Sequence, residues 1–187
     1  MGEGALMKGL TAPAAVRDVS RAEQMRVAIV TDFPRDPEDP CGGVQAVSVH
    51  LVRGLSGLGE LDLHVVTEDT LCSVPEDSMW EGVHVHRLPR GAKSMLANAV
   101  GPGRKQMAGY LKTLAPDVVH AHDVYGLMVK GLPAPRVFTI HGQIYRDTCV
   151  SGGRFPRLRS WLWKRTEQSG WSDQPHVISI SPYVREQ

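Results

Sequence analysis

Short apolar segments recur along the chain, and most of them have the composition of β-strands. Residues 25–31 (MRVAIVT) form a nearly continuous β-branched and aliphatic run, which is typical of a strand covered on both faces in a parallel sheet. Residues 61–67 and 82–88 alternate apolar and polar side chains more strictly, which indicates strands with one less buried face or a position near the sheet edge. A loop is predicted between these two strands from Pro75, Asp77 and Ser78.

Helical periodicity fills the gaps between most of the strands. Residues 44–58 place apolar side chains at helical spacing directly after a Gly-Gly pair, and residues 94–114 do so with a break at Gly101-Pro102-Gly103. Three further strands are predicted at 117–121, 136–140 and 177–180, and a further helix at 155–167. Strands and helices alternate, which favours an α/β fold with a doubly wound, mainly parallel, Rossmann-like sheet. Ligands of such sheets bind at the carboxyl ends of the strands.

The two ends of the chain depart from this pattern. Residues 1–24 mix glycine, alanine, proline and charge without a period, so we predict a flexible N-terminal extension followed by one domain over residues 25–187. Ser181 and Pro182 have the character of a helix N-cap and first helical residue. Because the sequence stops at Gln187, we expect the domain to be incomplete at its C-terminus.

Composition and charge exclude several classes of protein. A chain of 187 residues suits one compact domain. Its formal net charge of +1 creates no overall field toward nucleic acid, so no nucleic-acid partner is expected. The cysteines are odd in number and widely separated, which favours a reducing compartment, the cytoplasm: Cys41, Cys72 and Cys149. No run approaches roughly 18–20 apolar residues, so we expect neither a membrane-spanning helix nor a signal peptide.

Gly42 and Gly43 lie where the loop after the first strand meets the start of a helix. Glycine lets backbone amides approach a ligand closely, and a helix N-terminus attracts anions. A diphosphate or sugar phosphate would therefore suit the amides of Gly42, Gly43 and Val44. A flexible entry to the helix is an equally good interpretation of the pair. The chain lacks a G-x-G-x-x-G motif, and its loop of about ten residues is too long for the dinucleotide turn, which argues against NAD binding.

Histidines follow two of the predicted strands. His120 and His122 alternate along one strand and so face the same side of the sheet, with Asp123 next to them. This string resembles the zinc signature of metallo-β-lactamase-like hydrolases, although position 124 is valine where a further histidine is usual. Hydrogen-bonded structural residues are the alternative. His141 precedes Gly142 after the next strand, where an imidazole either donates to a phosphate or sugar hydroxyl or has a structural role.

Residues 154–165 (RFPRLRSWLWKR) combine cations with aromatic side chains and contain no acid. Helical spacing places apolar residues on one face, with cations beside them: Phe155, Leu158, Trp161 and Leu162, flanked by Arg157, Arg159 and Lys164. One interpretation is weak peripheral contact of residues 155–165 with the inner face of a membrane. The other, which we favour, packs the apolar stripe on the sheet and leaves the cations solvated. Histidines inside strand patterns are predicted to be structural: His64, His84, His86 and His176.

Several segments together resemble one family of enzymes. They run in order from MRVAIVTDFP through CGGVQAVSVHLVRGLSGLG, LDLHVVTE, GVHVHRLP, PDVVHAHD and VFTIHG to HVISISPYVRE. The series resembles family 4 glycosyltransferases, the large retaining group with the GT-B architecture. The resemblance implies that this chain is the N-terminal, acceptor-side domain, without the C-terminal domain that binds most of the donor. Two features depart from the family pattern, the proline-dotted acidic loop at 32–41 and the helix break at 101–103.

The resemblance also implies a reaction and roles for individual residues. The reaction is transfer of a sugar from a nucleotide-diphosphate sugar to an acceptor with retained anomeric configuration, without an obligatory metal or another cofactor. The amides assigned to the donor phosphates are those of Gly42, Gly43 and Val44. His141 matches the histidine next to the donor sugar and diphosphate and is the predicted catalytic residue. His122 and Asp123 match the acceptor side of the cleft, to which we also assign Asp32.

Three kinds of function follow from these observations. The first is a glycosyltransferase domain that is inactive alone, because most groups that stabilise leaving-group charge would lie in the other domain. Its partners would be a nucleotide-sugar donor and an acceptor that is a sugar, a lipid or a small alcohol. The second is a zinc-dependent hydrolase that uses His120, His122 and Asp123. The third is a nucleotide-binding module without catalysis.

Overall fold

The computed structural model describes residues 24–150 and 155–185. Its strands are β1 Met25–Val30, β2 Leu61–Asp69, β3 Glu76–Trp80, β4 Val83–Pro89, β5 Val118–His122, β6 Arg136–Ile140 and β7 His176–Ser179. Its helices are α1 Gly43–Ser56, α2 Met95–Val100, α3 Pro102–Leu114, α4 Tyr125–Met128, α5 Ile144–Val150, α6 Pro156–Trp171 and α7 Pro182–Arg185. The sequence pattern predicts neither α4 nor α5. The predicted extension at residues 1–24 lies, apart from Gln24, outside the described residues.

The strands in the described part of the chain form one sheet in the order β3-β4-β2-β1-β5-β6-β7. All neighbouring strands are parallel except β3 and β4, which are antiparallel. This confirms the predicted α/β class and the doubly wound, mainly parallel sheet. From β1 the chain continues to β2 and β4 on one side, and β5 to β7 follow on the other. The loops after β1 and β5 therefore lead in opposite directions from the centre of the sheet, and such sheets bind their ligands at this point.

Strand β1 is buried on both faces, as its apolar run predicts. Val27 and Ile29 belong to a hydrophobic core that β1 shares with α1, including Val49 and Val52 of that helix. Ala28 and Val30 point to the opposite face and join a second core, whose members from α3, α4 and α6 include Met107, Leu127 and Trp163. The helices thus cover both faces of the sheet and leave its carboxyl edge for a ligand.

Strand β3 corrects the prediction of a loop at Pro75, Asp77 and Ser78. Residues 76–80 pair with β4 in antiparallel register, and Trp80 lies opposite Val83. The two residues between them, Glu81 and Gly82, have φ angles of 48° and 80°. Positive φ at both central positions is the backbone of a type I′ hairpin turn. The strand exists because this turn folds it back onto β4, although most of its side chains are exposed.

Strand β2 is buried on both faces, so the prediction of a less buried face is wrong for this strand. Its polar side chains are buried because they pair with polar groups of neighbouring elements. Arg26 Nε of β1 donates to Asp62 Oδ2 at 2.8 Å, and Arg26 Nη1 donates to the Leu114 carbonyl at 2.9 Å. The alternation in β2 therefore reflects buried polar pairing rather than contact with solvent.

Helix α6 buries a different face from its aromatic stripe. Phe155 is 68% exposed and Trp161 is 55% exposed, so the interpretation in which this stripe packs on the sheet is wrong. The buried face consists of Ser160, Trp163, Glu167 and Gly170. A Cβ at Gly170 would collide with the Leu127 side chain of α4, so glycine permits the two helices to approach closely. Glu167 accepts hydrogen bonds from two backbone amides at the start of α5.

Histidines of β2 and β4 form a stack on the side of the sheet that α3 covers. The ring of His64 stacks on those of His84 and His86, with centroids 4.9 and 5.1 Å apart. His64 Nδ1 lies 2.8 Å from His86 Nε2. On its other side, His86 Nδ1 lies 2.6 Å from Asp77 Oδ1 and 2.8 Å from the Tyr110 hydroxyl. These contacts support the predicted structural role of the three histidines.

We expect the domain to lose stability in mild acid because of this stack. Burial lowers the pKa of His64 from 6.5 to about 4, against the opposing effect of Asp62. Between these two values the unfolded chain binds a proton that the folded chain does not, so the free energy of unfolding decreases as pH falls. Urea unfolding at a series of pH values measures the decline. His64→Gln should reduce it, and substitution of the exposed His50 should not; an unchanged decline in His64→Gln would contradict the assignment.

Candidate functional site

A cleft of about 560 Å³ lies at the carboxyl edge of the sheet. Among the residues that line it are six of those assigned to the site from the sequence: Asp32, Gly43, Val44, His122, Asp123 and His141. Gly42 is not part of the lining and is the N-cap of α1. The structure thus brings the start of α1 and the two histidines together on one cleft. Their roles in binding and catalysis stay predictions.

Helix α1 begins at this cleft with its first amides uncovered by side chains. A Cβ added at Gly42 or Gly43 would meet nothing within 4 Å. No neighbouring atom therefore requires glycine at these positions, and the glycines leave room for a ligand. Gln45 ties the preceding loop to the helix, since its side chain accepts from the Cys41 amide at 2.9 Å and donates to Asp32 Oδ1 at 3.2 Å. An anion placed here would be stabilised by the free amides and by the helix dipole.

Asp123 turns the chain at the end of β5 and also holds the end of β6. Its φ angle is 45°, in the left-handed region that few residues other than glycine, asparagine and aspartate adopt. Its amide donates to the Thr139 carbonyl at 3.0 Å, and its Oδ1 accepts from the His141 amide at 2.7 Å. The carboxylate that the sequence assigns to the acceptor side therefore also positions the backbone of His141.

Three histidines contact one another at the ends of β5 and β6. The rings of His120 and His122 are 4.7 Å apart, and those of His122 and His141 are 5.0 Å apart. His120 Nε2 lies 2.8 Å from the Thr139 hydroxyl, and His141 Nε2 lies 3.2 Å from His122 Nδ1. Burial lowers the pKa of His122 to about 3, assisted by the two neighbouring imidazoles. His122 is therefore neutral at physiological pH.

The contacts of the neutral His122 indicate where the protons of this pair lie. Its Nε2 is buried and has no hydrogen-bond partner among the described residues. Because a buried, unpaired N–H is rare, we assign the proton of His122 to Nδ1, from which it is donated to His141 Nε2. A neutral His141 then carries its own proton on Nδ1. His141 is among the residues that line the cleft.

The zinc hypothesis gains no support from this geometry. Within residues 24–150 and 155–185, no group of three histidine, cysteine, aspartate or glutamate side chains is placed to hold a metal ion. His120 and His122 meet edge to face, and Asp123 is hydrogen-bonded to the His141 amide. The string of three residues that resembles a zinc signature thus serves other contacts.

Sequence reasoning missed a polar group at the opposite end of the cleft. Glu68, at the end of β2, lines the cleft and accepts from Asn98 Nδ2 with both carboxylate oxygens, at 2.8 and 2.6 Å. Burial raises the pKa of Glu68 against the effects of Asn98 and Arg90. A Cβ at Gly103 would collide with both Glu68 and Asn98, which explains one glycine of the helix break. Tyr125 packs beside them, and its hydroxyl accepts from the Glu68 amide at 3.2 Å.

Arg90 is the second missed residue and lines the same end of the cleft. It follows β4, and its amide donates to the Asp69 carbonyl at 3.1 Å. Its position one residue beyond a strand is the same signal that identified Asp123 and His141. The predicted strands stop at residues 67 and 88, so Glu68 follows one of them directly and the same signal could have found it, whereas Arg90 lies two residues beyond the other.

Two comparisons with known proteins bear on this site. The sequence model of the family described as Glycosyltransferase Family 4 matches residues 41–187. No curated protein matches the chain. The matched range contains the start of α1 and both histidines of the cleft. Separately, the described helices include none with the length and apolar character needed to cross a membrane.

Proposed function

Because the chain belongs to glycosyltransferase family 4, we propose that it acts in the transfer of a sugar from a nucleotide-diphosphate sugar to an acceptor, with retention of the anomeric configuration. The observation that carries the proposal is the cleft in which His141 and the start of α1 face the same space. A nucleotide-diphosphate sugar needs hydrogen-bond donors at its phosphates and at its sugar, and these two features supply them. The acceptor is proposed to be a sugar, a lipid or a small alcohol.

The proposal assigns separate tasks to the groups that line the cleft. The first amides of α1, from Gly43 and Val44, bind phosphate oxygens of the donor. His141 donates from Nδ1 to the donor sugar or to the diphosphate, where negative charge grows as the glycosidic bond breaks. Asp32 and Asp123 accept hydrogen bonds from hydroxyl groups of the acceptor. The reaction is proposed to need no metal ion and no other cofactor.

A binding experiment followed by a product assay tests this function. A panel of nucleotide-diphosphate sugars is titrated into the isotopically labelled protein, and the amide signals of Gly43, Val44 and His141 are expected to shift. Formation of a glycoside is then measured with sugar and lipid acceptors, with the anomer determined by NMR. Tight binding of about one zinc ion per chain, with unfolding on chelation, would favour the hydrolase instead. Nucleotide binding without any glycoside in an enzyme that contains this domain would favour the non-catalytic module.

We also propose that residues 155–165 make weak peripheral contact with the inner face of a membrane. The exposed apolar side chains of this surface are Phe155, Leu158, Trp161 and Leu162. Exposed cations surround them, among them Arg157, Lys164 and Arg165, and the Arg165 guanidinium lies 5.8 Å from the centre of the Trp161 ring. An apolar stripe flanked by cations suits the boundary between acyl chains and anionic headgroups.

Vesicle binding is expected to depend on both parts of this surface. The protein should co-sediment with vesicles rich in phosphatidylserine at low salt, and binding should fall as salt rises because charge attraction is screened over about 8 Å at physiological ionic strength. The double variant Phe155→Ser/Trp161→Ser should bind less at every salt concentration. Leu71→Ser provides the control, since Leu71 is an exposed apolar residue of the loop between β2 and β3. Absence of binding at low salt would remove the proposal.

A further inference from the structure

The guanidinium of Arg90 has unused hydrogen-bonding capacity in the wall of the cleft. Its Nε is buried and has no hydrogen-bond partner within the described ranges. The other side-chain nitrogens of Arg90 also make no hydrogen bond or ion pair within those ranges. A guanidinium carries five N–H donors in a planar fork that matches the oxygens of phosphate or carboxylate. Burying part of such a group without partners is costly, so a ligand oxyanion would satisfy a need that the protein leaves open.

The neighbouring carboxylate does not satisfy Arg90. Both oxygens of Glu68 accept from Asn98, and no contact between Glu68 and Arg90 is short enough to be an ion pair. Asn98 is itself fixed, because its Oδ1 accepts from the Ala92 amide at 3.0 Å. The Asn98 side-chain amide therefore fixes the position of the Glu68 carboxylate without Arg90. The charge of Arg90 acts on Glu68 without an ion-pair contact, and the N–H donors of the guanidinium are left for a ligand in the cleft.

The place of Arg90 in the sheet separates it from the residues assigned to the donor. Arg90 follows β4 and His141 follows β6, and the strands β2, β1 and β5 lie between them. Four inter-strand steps of about 4.8 Å give a separation of about 19 Å along the sheet edge. The apolar side chains of Val47 and Met95 also line this cleft. The first amides of α1, which follow β1, are two strands or about 10 Å from Arg90 along the same edge. An anion at Arg90 is thus separate from the phosphates proposed at α1 and farther still from the reacting sugar proposed at His141.

We propose that Arg90 binds a phosphate group of the acceptor, so that the acceptor of this enzyme is a phosphorylated sugar or alcohol that lies across the cleft from β4 to β6. That this anion belongs to an acceptor rests on the proposed transferase function. The anion site itself rests on the geometry of the cleft. The phosphate occupies the planar fork of the guanidinium, and the hydroxyl that attacks the donor lies toward His141. Charge-assisted, two-point hydrogen bonds make Arg90 the group that selects phosphorylated over neutral acceptors.

The anion site is tested by NMR titration of the isotopically labelled chain, without any turnover. The probes are inorganic phosphate and glucose 6-phosphate, with glucose as the neutral comparison. The Nε–Hε signal of Arg90 is expected to shift with both phosphates and not with glucose. Arg90→Gln should weaken phosphate binding about tenfold or more, and Arg90→Lys should weaken it less. Lys93→Gln removes an exposed charge three positions away, outside the cleft lining, and should leave binding within about twofold.

Each other result overturns a defined part of the inference. Equal phosphate binding by the wild-type chain and Arg90→Gln, with the fold confirmed by circular dichroism, would remove Arg90 as the site. Shifts confined to Gly43 and Val44 would place the anion at α1 and overturn the proposal while leaving the transferase function intact. In an active enzyme that contains this domain, faster transfer to glucose than to glucose 6-phosphate would also overturn it. Phosphate binding at Arg90 without any sugar transfer would instead contradict the proposed function and leave only an anion site.

Discussion

Replacing His141 by alanine is expected to lower the turnover of an active enzyme that contains this domain by about a hundredfold to a thousandfold. His141 lines the cleft where charge on the leaving diphosphate is proposed to grow. A hydrogen bond from its Nδ1 to that charge would strengthen as the glycosidic bond breaks. Loss of one such donor typically costs about 2.7 to 4 kcal/mol in the transition state. Steady-state kinetics on the purified variant measure the effect on kcat directly.

The same experiment separates a catalytic His141 from a structural one. Donor affinity should change far less than turnover, because the interaction is stronger in the transition state than in the bound substrate. His50→Ala is the matched control, since His50 is an exposed histidine of α1 that is absent from the cleft lining. A folded His141→Ala enzyme with near wild-type turnover would show that the histidine is structural and that the reaction centre lies elsewhere.

Replacing Asp62 by alanine is expected to reduce the free energy of unfolding by about 3–5 kcal/mol, because it strands a buried charge. The Arg26 and Asp62 side chains are only 8% and 4% exposed, and their contact is 2.8 Å long. Burial alone would raise the pKa of Asp62, but the hydrogen bond and charge of Arg26, with His64, hold it below its ordinary value. The carboxylate is thus ionised in the folded protein and compensates Arg26 at neutral pH.

Urea unfolding of a small set of variants measures how much stability is lost when Arg26 is left without its partner. Glu60→Ala, which removes an exposed acid two positions earlier, should change stability by less than about 0.5 kcal/mol. The double variant Arg26→Met/Asp62→Ala should recover most of the loss, since a buried ion pair can be replaced by apolar side chains at little cost. If Asp62→Ala alone costs less than about 1 kcal/mol, water reaches Arg26 and the pair is not buried in solution.

The fold was predictable where burial and secondary structure agree. The run at residues 25–31 indicates a central strand because it is a nearly continuous β-branched and aliphatic run, interrupted only by Arg26, and β1 is buried on both faces. In β2 the same logic fails, because the pairing of Arg26 with Asp62 depends on a strand register that the sequence does not display. Strand β3 has mostly exposed side chains, so its position comes from the turn at Glu81-Gly82 and from pairing with β4.

The candidate site was predictable where it depends on element order alone. His122 ends β5, His141 follows β6 directly, and Gly43 lies at the end of the loop that follows β1. The carboxyl ends of parallel strands share one edge of the sheet. Glu68 and Arg90 come to the same end of the cleft through the pairing of β2 with β4, and Asn98 binds Glu68 there. This arrangement depends on the topology.

The face that α6 buries could not be predicted from the sequence either. Helical periodicity finds an apolar stripe on α6, yet it does not say whether a partner covers that stripe. Residues 160, 163, 167 and 170 also recur at helical spacing, and among them Ser160 and Gly170 are small enough for close helix packing. The stripe of larger residues was the more visible pattern, and it is the exposed one.

The central position of β1 has a consequence for the order in which the domain folds during synthesis. The amide of Arg26 donates to Asp117 across 91 positions of the chain, and β1 pairs with β5 at the same place. At typical synthesis rates of about 5–20 residues per second, β1 waits roughly 5–18 s for that partner. During this interval β1, β2 and β4 can already pair, while the second edge of β1 exposes an apolar strand of unpaired backbone groups. The ribosome-bound chain is therefore most open to strand addition by other chains, and most in need of a chaperone, before β5 emerges.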